Sequence, residues 1–409
     1  MSRGIEWFES LQARGIRPGL ENIRCLAKGL DDPQNSFRII HVAGSDGKGS
    51  VCCFLESILR EAGFNVGMFT SPQILRINEC IRIDGKDIDD DTFDSILLDV
   101  KSVAESNSIE CTNFETHTAC AFHAFRKAGV DIAIVEVGMG GRLDATNIIT
   151  PDLTIINNIE LEHRAFLGNT LEEIASEKAG IIKEGVPCVT MNSGTVLEVI
   201  KAKAEQLRCP LTVVHPDDIE VKTNCSDHLE FSYKGVDYIS GLPGRFQAKN
   251  ASIAIEAIGN LKDSKSIEPY IEKGLSKARW HYRMEKLDDL PLIIDVTHTK
   301  KGAECLAEDI SEIYGKVTLV TGMLNDKDLD GVAQSLSRIA SKIYVSAPDS
   351  PRAASADVLA SYYSKFHDDV TVCDTLGQAL EQALKNDGIV LVTGSFRTAE
   401  DCLRWLRRM

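Results

Sequence analysis

Gly44-Ser45-Asp46-Gly47-Lys48-Gly49-Ser50 is the stretch of this chain whose chemistry is plainest. It follows a short apolar run and opens a helical pattern. Consecutive backbone N–H groups at a helix start can cradle phosphate oxygens, and the helix dipole adds partial positive charge. Lys48 is placed to reach terminal phosphates and Ser50 to ligate Mg2+. Gly44 and Gly47 enclose two residues where the strict phosphate-loop pattern has four, and Gly49 separates the lysine from the serine. The bland reading is a glycine-rich turn with an exposed lysine.

Three further residues carry chemistry. Glu136 stands at the C-terminal end of an apolar strand pattern, where ligands bind in open α/β sheets, and its hard carboxylate suits Mg2+. His163 lies just past another strand pattern; imidazole is a less usual partner for Mg2+, so on its own it reads as a polar pocket residue. Lys178 follows a capping-box start at Thr170 and Glu173. By spacing alone it is an exposed helix lysine paired with a nearby glutamate.

The elements that must position these groups alternate. Residues 37–43, 65–69, 131–137 and 152–157 read as strands, and 49–61 as a helix with Gly63 where a C-cap belongs. Such alternation implies a parallel sheet with helices on both faces. Residues 211–240 are more polar and richer in strand formers, with Asp-Asp and Lys-Gly turn signals, and read as a small β insertion. A second α/β series has strands at 292–296, 316–322, 342–347 and 388–393. Its junction with the first falls within 278–290, a stretch that includes Trp280, Tyr282 and Arg283. The expected fold is therefore α/β. It has an N-terminal P-loop ATPase domain over 1–283, with a parallel-rich sheet and the β insertion, and a C-terminal Rossmann-like α/β domain over 284–409.

The 409 residues are 43% hydrophobic and 26% charged, with a formal net charge of −16. That balance fits a globular enzyme and argues against a general nucleic-acid or anionic-membrane surface. The 12 cysteines show no CxxC pair and read as reduced, buried thiols. Residues 1–10 carry Glu6 and Glu9 with no apolar leader, and no run is long enough to span a bilayer. A cytoplasmic monomer with small-molecule substrates is expected.

Taken together, several motifs resemble those of the folylpolyglutamate synthase/dihydrofolate synthase family, within the Mur ligase superfamily. They are Val42–Ser50 (VAGSDGKGS), Phe69-Thr70-Ser71-Pro72, Glu136–Asn147 (EVGMGGRLDATN) and Thr170–Lys183 (TLEEIASEKAGIIK). Gly244-Arg245-Phe246-Gln247 with Asn250, Asp295 with His298, Asp326-Lys327-Asp328 and Thr393-Gly394-Ser395 complete the set. The resemblance runs from about residue 36 to the C-terminus. It implies an active site in a cleft between two domains, in which ATP phosphorylates the carboxylate of a pteroate or folate and the amine of L-glutamate then displaces phosphate.

The resemblance also assigns roles. Gly44, Ser45, Asp46, Gly47, Lys48, Gly49 and Ser50 hold the ATP phosphates, Asn250 faces the base, Arg283 a phosphate and Asp295 the ribose. Ser50, Glu136, His163 and Lys178 hold two Mg2+ ions, with Lys178 converted by CO2 into a carbamate. Carbamylation needs the neutral amine, which desolvation and neighbouring cations favour. His298 lies near the phosphates or the incoming amine, with general-base action among its options. Ser71, Thr112, Phe114, Glu115, Arg142, Asp144 and Ala145 line the pterin side, where Phe114 either stacks on a flat heterocycle or packs in the core. Lys327 and Ser395 are candidates for contacting glutamate.

The chain departs from the family pattern in several places. Ser45-Asp46 stand for Thr-Asn, Gln73 for His, Glu160 and Glu162 for Gly and Asp, and Thr297-His298-Thr299-Lys300 for an Ala-His-Asn-Pro run. Two other readings remain at this level. One keeps the ligase chemistry with another pterin, a cofactor acid or a peptide precursor as acceptor. The other is a P-loop kinase or nucleotide-gated binding module, which would need neither Lys178 nor glutamate-dependent ATP turnover.

Overall fold

The computed structural model describes residues 3–408; Met1, Ser2 and Met409, at the outer ends of the two expected domains, lie outside them. The chain forms two compact units. One comprises Met1–Ile219, Tyr233–Gly235 and Lys249–Ala278, the other Glu220–Ser232, Val236–Ala248 and Arg279–Met409.

In the first unit the strands are β1 (Arg38–Ala43), β2 (Val66–Phe69), β3 (Ile81–Ile83), β4 (Lys86–Asp87), β5 (Ile132–Glu136), β6 (Leu153–Ile156), β7 (Cys188–Thr190) and β8 (Leu211–Val213). Among the described residues they form one sheet in the order β4-β3-β2-β5-β1-β6-β7-β8. It is parallel from β2 to β8, with β3 and β4 antiparallel at one edge. The apolar runs of β1, β5 and β6 are almost wholly buried, as expected for strands covered on both faces. β1 lies between β5 and β6, so the C-terminal ends of these three strands bring Ala43, Glu136 and Ile156 to one edge.

The expected strands fall within two residues of those observed. The expected insertion differs. Residues 211–213 extend the main sheet as β8, and only β9 (Ile219–Asn224), β10 (Leu229–Tyr233) and β11 (Val236–Ser240) make a separate sheet. All three β8 residues are only half-buried, so their composition resembles that of the insertion beside them.

The second unit has β12 (Glu285–Lys286), β13 (Leu292–Ile294), β14 (Val317–Thr321), β15 (Ala340–Val345), β16 (Val370–Val372) and β17 (Val390–Thr393), ordered β12-β13-β17-β14-β15-β16. All pairings are parallel except β12 with β13. β12 and β16 were not expected from the sequence. One has two residues and the other three, and neither contains a buried residue that would mark it. The described cysteines are free thiols, most of them buried. Among the described residues no helix is long and apolar enough to cross a membrane.

The helix Lys48–Glu61 that follows the glycine loop is buried along most of its length. Helix Ile271–Lys277 lies against it so closely that a Cβ on Gly274 would stand 2.5 Å from Ile58 Cα and 2.8 Å from Ile58 N. Ser57 Oγ seals the contact by donating to Gly274 O at 2.7 Å. Gly274→Ala therefore forces backbone apart and should lower the unfolding free energy by about 1–3 kcal/mol. Gly259→Ala, where a Cβ meets nothing within 4 Å, should instead raise it by roughly 0.4–1 kcal/mol. Urea denaturation of both variants checks this; equal midpoints would refute the close-packing account.

Candidate active site

The glycine loop is stitched to the end of β6. Asn157 N–H donates to Ala43 O at 2.7 Å, and Ser45 N–H to Asn158 O at 2.6 Å. Gly47 heads the helix at φ 77°, in the left-handed region that favours glycine. A Cβ there would stand 2.5 Å from both Asn157 Nδ2 and Asn250 Oδ1. Having no side chain, Gly47 also cannot cap the first-turn N–H groups. A glycine turn that leads into uncapped N–H groups at a helix start is an arrangement that can cradle phosphate oxygens.

Lys48 curls back over this loop. Its Nζ donates to Ser45 O at 3.0 Å and stands 3.8 Å from Glu136 Oε1. Glu136 is 5% exposed, and its other oxygen accepts from Ser71 N–H at 3.4 Å. Ser50 is buried one turn into the helix. The sheet therefore brings together Lys48, Glu136 and Ser71, which are far apart in sequence, with Ser50 on the helix that Lys48 opens.

Lys178 comes from the helix Leu171–Ala179, which begins with the expected reciprocal capping box of Thr170 and Glu173. The side chain is not on a solvated face. It is 2% exposed, and its Nζ donates to Gly44 O at 2.9 Å and to Glu162 Oε1 at 2.8 Å. Desolvation pushes the ammonium below its ordinary range; Glu162 opposes that shift and Lys48 adds to it. Desolvation pushes the Glu162 carboxyl up, but Lys178 and Lys48 outweigh it and hold it at about 2. His163 adopts a left-handed backbone (φ 45°), and its Nε2 lies 3.8 Å from Glu162 Oε2.

These residues fit the expected groups. An amine held below its ordinary range, beside a second cation, is what CO2 addition requires. Two carboxylates, a buried hydroxyl and an imidazole are suitable donors for divalent ions. Among the described residues no three or more His, Cys, Asp or Glu side chains form a metal-holding group. The expected set contains only two such residues, and takes its other donors from Ser50 and a modified Lys178.

The expected acceptor-side residues are built into structure in a different way. Thr112 and Glu115 form a reciprocal capping box for helix Asn113–Lys127. Phe114 is half-buried, 6.0 Å from the Phe69 ring, and sits directly over Gly138. Asp144 is buried beneath the loop after β5 and accepts from Met139 N at 2.8 Å and from the Thr146 amide and hydroxyl. Ala145 joins the core. Arg142 is exposed and forks onto Glu177 Oε1 at 3.1 and 2.9 Å.

In the second unit, Asp295 lies past β13 and accepts from Thr297 N at 2.7 Å and Met284 N at 3.1 Å. His298 and Arg283 gather on one ring: Phe396 is 5.6 Å from the His298 centroid and 5.9 Å from the Arg283 guanidinium. The carbonyl of Val296 accepts from His298 Nδ1 at 3.0 Å. Ser395 caps helix Phe396–Leu406 and donates to Gly322 O at 3.2 Å. Lys327 is half-buried in the turn after β14.

Sequence reasoning noted Glu162 only as a departure and did not single out Asn157. The signal for Glu162 was its carboxylate next to His163. Asn157 carried none, because its partners lie far away in sequence.

Residues 42–258 match the Mur ligase middle domain and residues 279–396 the Mur ligase glutamate ligase domain. A dihydrofolate synthase/folylpolyglutamate synthase from Bacillus subtilis is 34% identical, with 98% of each chain covered. A solved structure of Escherichia coli FolC in complex with DHPP and ADP superposes with a TM-score of 0.85 at 28% identity, covering 99% of this chain and 98% of that one. A structure of a bifunctional folylpolyglutamate synthase/dihydrofolate synthase with Mn, AMPPNP and L-glutamate bound superposes at 0.83 and 29% identity, covering 100% and 98%.

Replacing Glu162 by Gln leaves the buried Lys178 without its counter-charge and should lower the unfolding free energy at neutral pH by about 1–3 kcal/mol. Because the folded Glu162 carboxyl is depressed from 4.5 to about 2, its contribution is complete above the higher value and is lost as pH falls toward the lower. Urea unfolding of the two proteins should converge across that interval. A difference that stays constant there would contradict the pairing.

Proposed function

We propose, for a chain that belongs to the dihydrofolate synthase/folylpolyglutamate synthase family of Mur ligases and is an ATP-dependent amide-forming ligase, that it joins L-glutamate to dihydropteroate or to a folate, working as a cytoplasmic monomer. The observation that carries this reading is the contact of Lys178 Nζ with Gly44 O at 2.9 Å. It joins the lysine-bearing helix to the phosphate cradle, so that one site serves phosphate and modified lysine together.

The chemical problem is an anion approaching an anion. An acceptor carboxylate oxygen must attack the γ-phosphorus of ATP, expelling ADP and leaving an acyl phosphate. The amine of glutamate then attacks the carbonyl carbon, inorganic phosphate leaves with its bonding electrons, and the amine loses a proton. Neither anion approaches the other without cations and oriented N–H groups to screen the charge. The N–H groups at the start of helix Lys48–Glu61 and the Lys48 ammonium provide part of that screen. Divalent ions supply the rest when bound, and Ser50, Glu136, His163 and Lys178 as carbamate would hold them. Carbamate formation joins the neutral Lys178 amine to CO2 and releases one proton. Together with the proton that the ammonium gives up first, this turns a cation into an anion beside Glu162 and so creates demand for a metal.

Residues 1–283 would carry nucleotide, metal and acceptor, and residues 284–409 the amino acid. His298 suits proton acceptance. Because a carbonyl can only accept, the Val296 contact places the ring proton on Nδ1 and leaves Nε2 as the basic nitrogen. Asp295, with both oxygens engaged by backbone N–H groups, keeps further lone pairs for a ribose hydroxyl. Ser71, Thr112, Phe114, Glu115, Arg142, Asp144 and Ala145 would shape the acceptor side, with Lys327 and Ser395 toward glutamate.

Purified protein given Mg-ATP, L-glutamate and dihydropteroate should form dihydrofolate, detected by mass, with ADP released only when all three are present. Lys48→Met and Lys178→Met should each slow ADP release by roughly 10²–10³-fold. Glutamate-independent turnover that survives Lys178→Met would instead favour a kinase.

A further inference from the structure

Three separate stretches of the second unit meet at one aromatic ring. Arg283 lies just before β12, His298 follows β13, and Phe396 opens the helix after β17. Phe396 is half-buried. Its ring centre stands 5.9 Å from the Arg283 guanidinium and 5.6 Å from the centre of the His298 ring, with 53° between the two ring planes.

The backbone ties the same three stretches together. Asp295 joins the first two, accepting from Met284 N–H at 3.1 Å and from Thr297 N–H at 2.7 Å. Thr297 O joins the second to the third, accepting from Gly394 N–H at 3.1 Å. The turn before the ring is itself pinned, because Ser395 Oγ and Thr398 Oγ1 both donate to Gly322 O, at 3.2 and 2.6 Å.

Arg283 is delivered to the ring by a rare backbone. Its neighbours Tyr282 and Met284 have φ of 62° and 52°, in the left-handed region that residues with side chains seldom adopt. A carboxylate holds each of them: Glu285 Oε2 accepts from Tyr282 N–H at 2.8 Å, and Asp295 holds Met284. Such conformations persist only where the surroundings over-determine them. The side chain is then met by the ring, whose quadrupole attracts a cation to its face; an aliphatic side chain has no such field. The ring is therefore the one tie that a change of side chain removes while the backbone ties stay in place.

We propose that Phe396 is a positioning residue whose ring sets the Arg283 guanidinium and the His298 imidazole side by side, so that an anion-binding group and a proton acceptor are presented as one unit. This rests on the ligase reading above, in which Arg283 meets a phosphate and His298 the amine. It deepens that reading by making phosphate affinity and the amine's proton loss depend on the same side chain.

The test uses the full chain with two readouts, Mg-AMPPNP affinity by calorimetry and kcat for ADP release with saturating Mg-ATP, L-glutamate and dihydropteroate. Circular dichroism confirms folding. Phe396→Leu should weaken Mg-AMPPNP binding and lower kcat by about fivefold each, whereas Phe396→Tyr, which keeps the ring, should stay within about twofold of the wild type. In an Arg283→Met background Phe396→Leu should cost no further affinity, and in a His298→Gln background no further kcat. Simple packing would instead make Phe396→Leu and Phe396→Tyr alike and their effects additive with the other two substitutions, and the proposal would be wrong. Coupling to Arg283 alone or to His298 alone would also overturn it, because the pairing is the claim. If Phe396→Leu does not fold, Phe396→Met decides by the same comparison. A wild type that binds Mg-AMPPNP but does not turn over would sink the ligase reading; the affinity cycle with Arg283 would then still accept or reject the role of the ring.

Discussion

Two ammonium groups, Lys48 and Lys178, stand beside one glycine loop, and each is held there by a carboxylate, Glu136 and Glu162 respectively. Like charges near each other in a poorly solvated site would drive apart or lose protons. The structure answers with one counter-charge for each cation and with backbone carbonyls, Ser45 O for Lys48 and Gly44 O for Lys178. The site is therefore poised between charge states. Replacing the Lys178 cation by a carbamate anion would leave Glu162 and its neighbours with an excess of negative charge that only metal ions could balance. On the proposed reaction that shift would serve the chemistry, because a site for two approaching anions must be able to gather cations.

Everything else in the first unit serves to bring these groups to one edge. Three parallel strands end together, and their C-terminal ends supply the loop after β1, Glu136 on β5 and the Asn157–His163 segment after β6. The helix Lys48–Glu61 is anchored at its far end by the backbone contact at Gly274. The Asn192 side chain holds the Asn157 backbone carbonyl, and the Asn157 side chain in turn donates to Asn250 Oδ1. In the second unit the same rule holds: Asp295, His298 and Ser395 follow the C-terminal ends of β13 and β17, and Phe396 gathers His298 and Arg283.

Much of this was legible in the sequence, for identifiable reasons. The loop could be read because residue type, order and a strand-to-helix context coincide there. The buried strands could be read because parallel strands covered on both faces are apolar runs. Lys178 was misread by local spacing. Its partner is Glu162, sixteen residues earlier, not a glutamate on its own helix, and only the family resemblance pointed to a special role. Asn157 was invisible, because its meaning depends on Asn250, ninety-three positions away. Thr112, Glu115 and Asp144 lie in stretches that sequence reading assigned to the acceptor, yet their polar atoms also organise the backbone. Sequence pattern cannot separate these two uses. The short strands β12 and β16 have too few buried residues to leave a periodic trace.

The central claim, that Lys178 changes charge at the phosphate cradle, is open to direct observation. The protein is equilibrated with ¹³C-labelled bicarbonate, Mg2+ and ADP and followed by carbon NMR. The account predicts a carbamate resonance in the wild type that grows with Mg2+ and is missing from Lys178→Arg. No such resonance at saturating Mg2+ and ADP, or one that persists in Lys178→Arg, would contradict it.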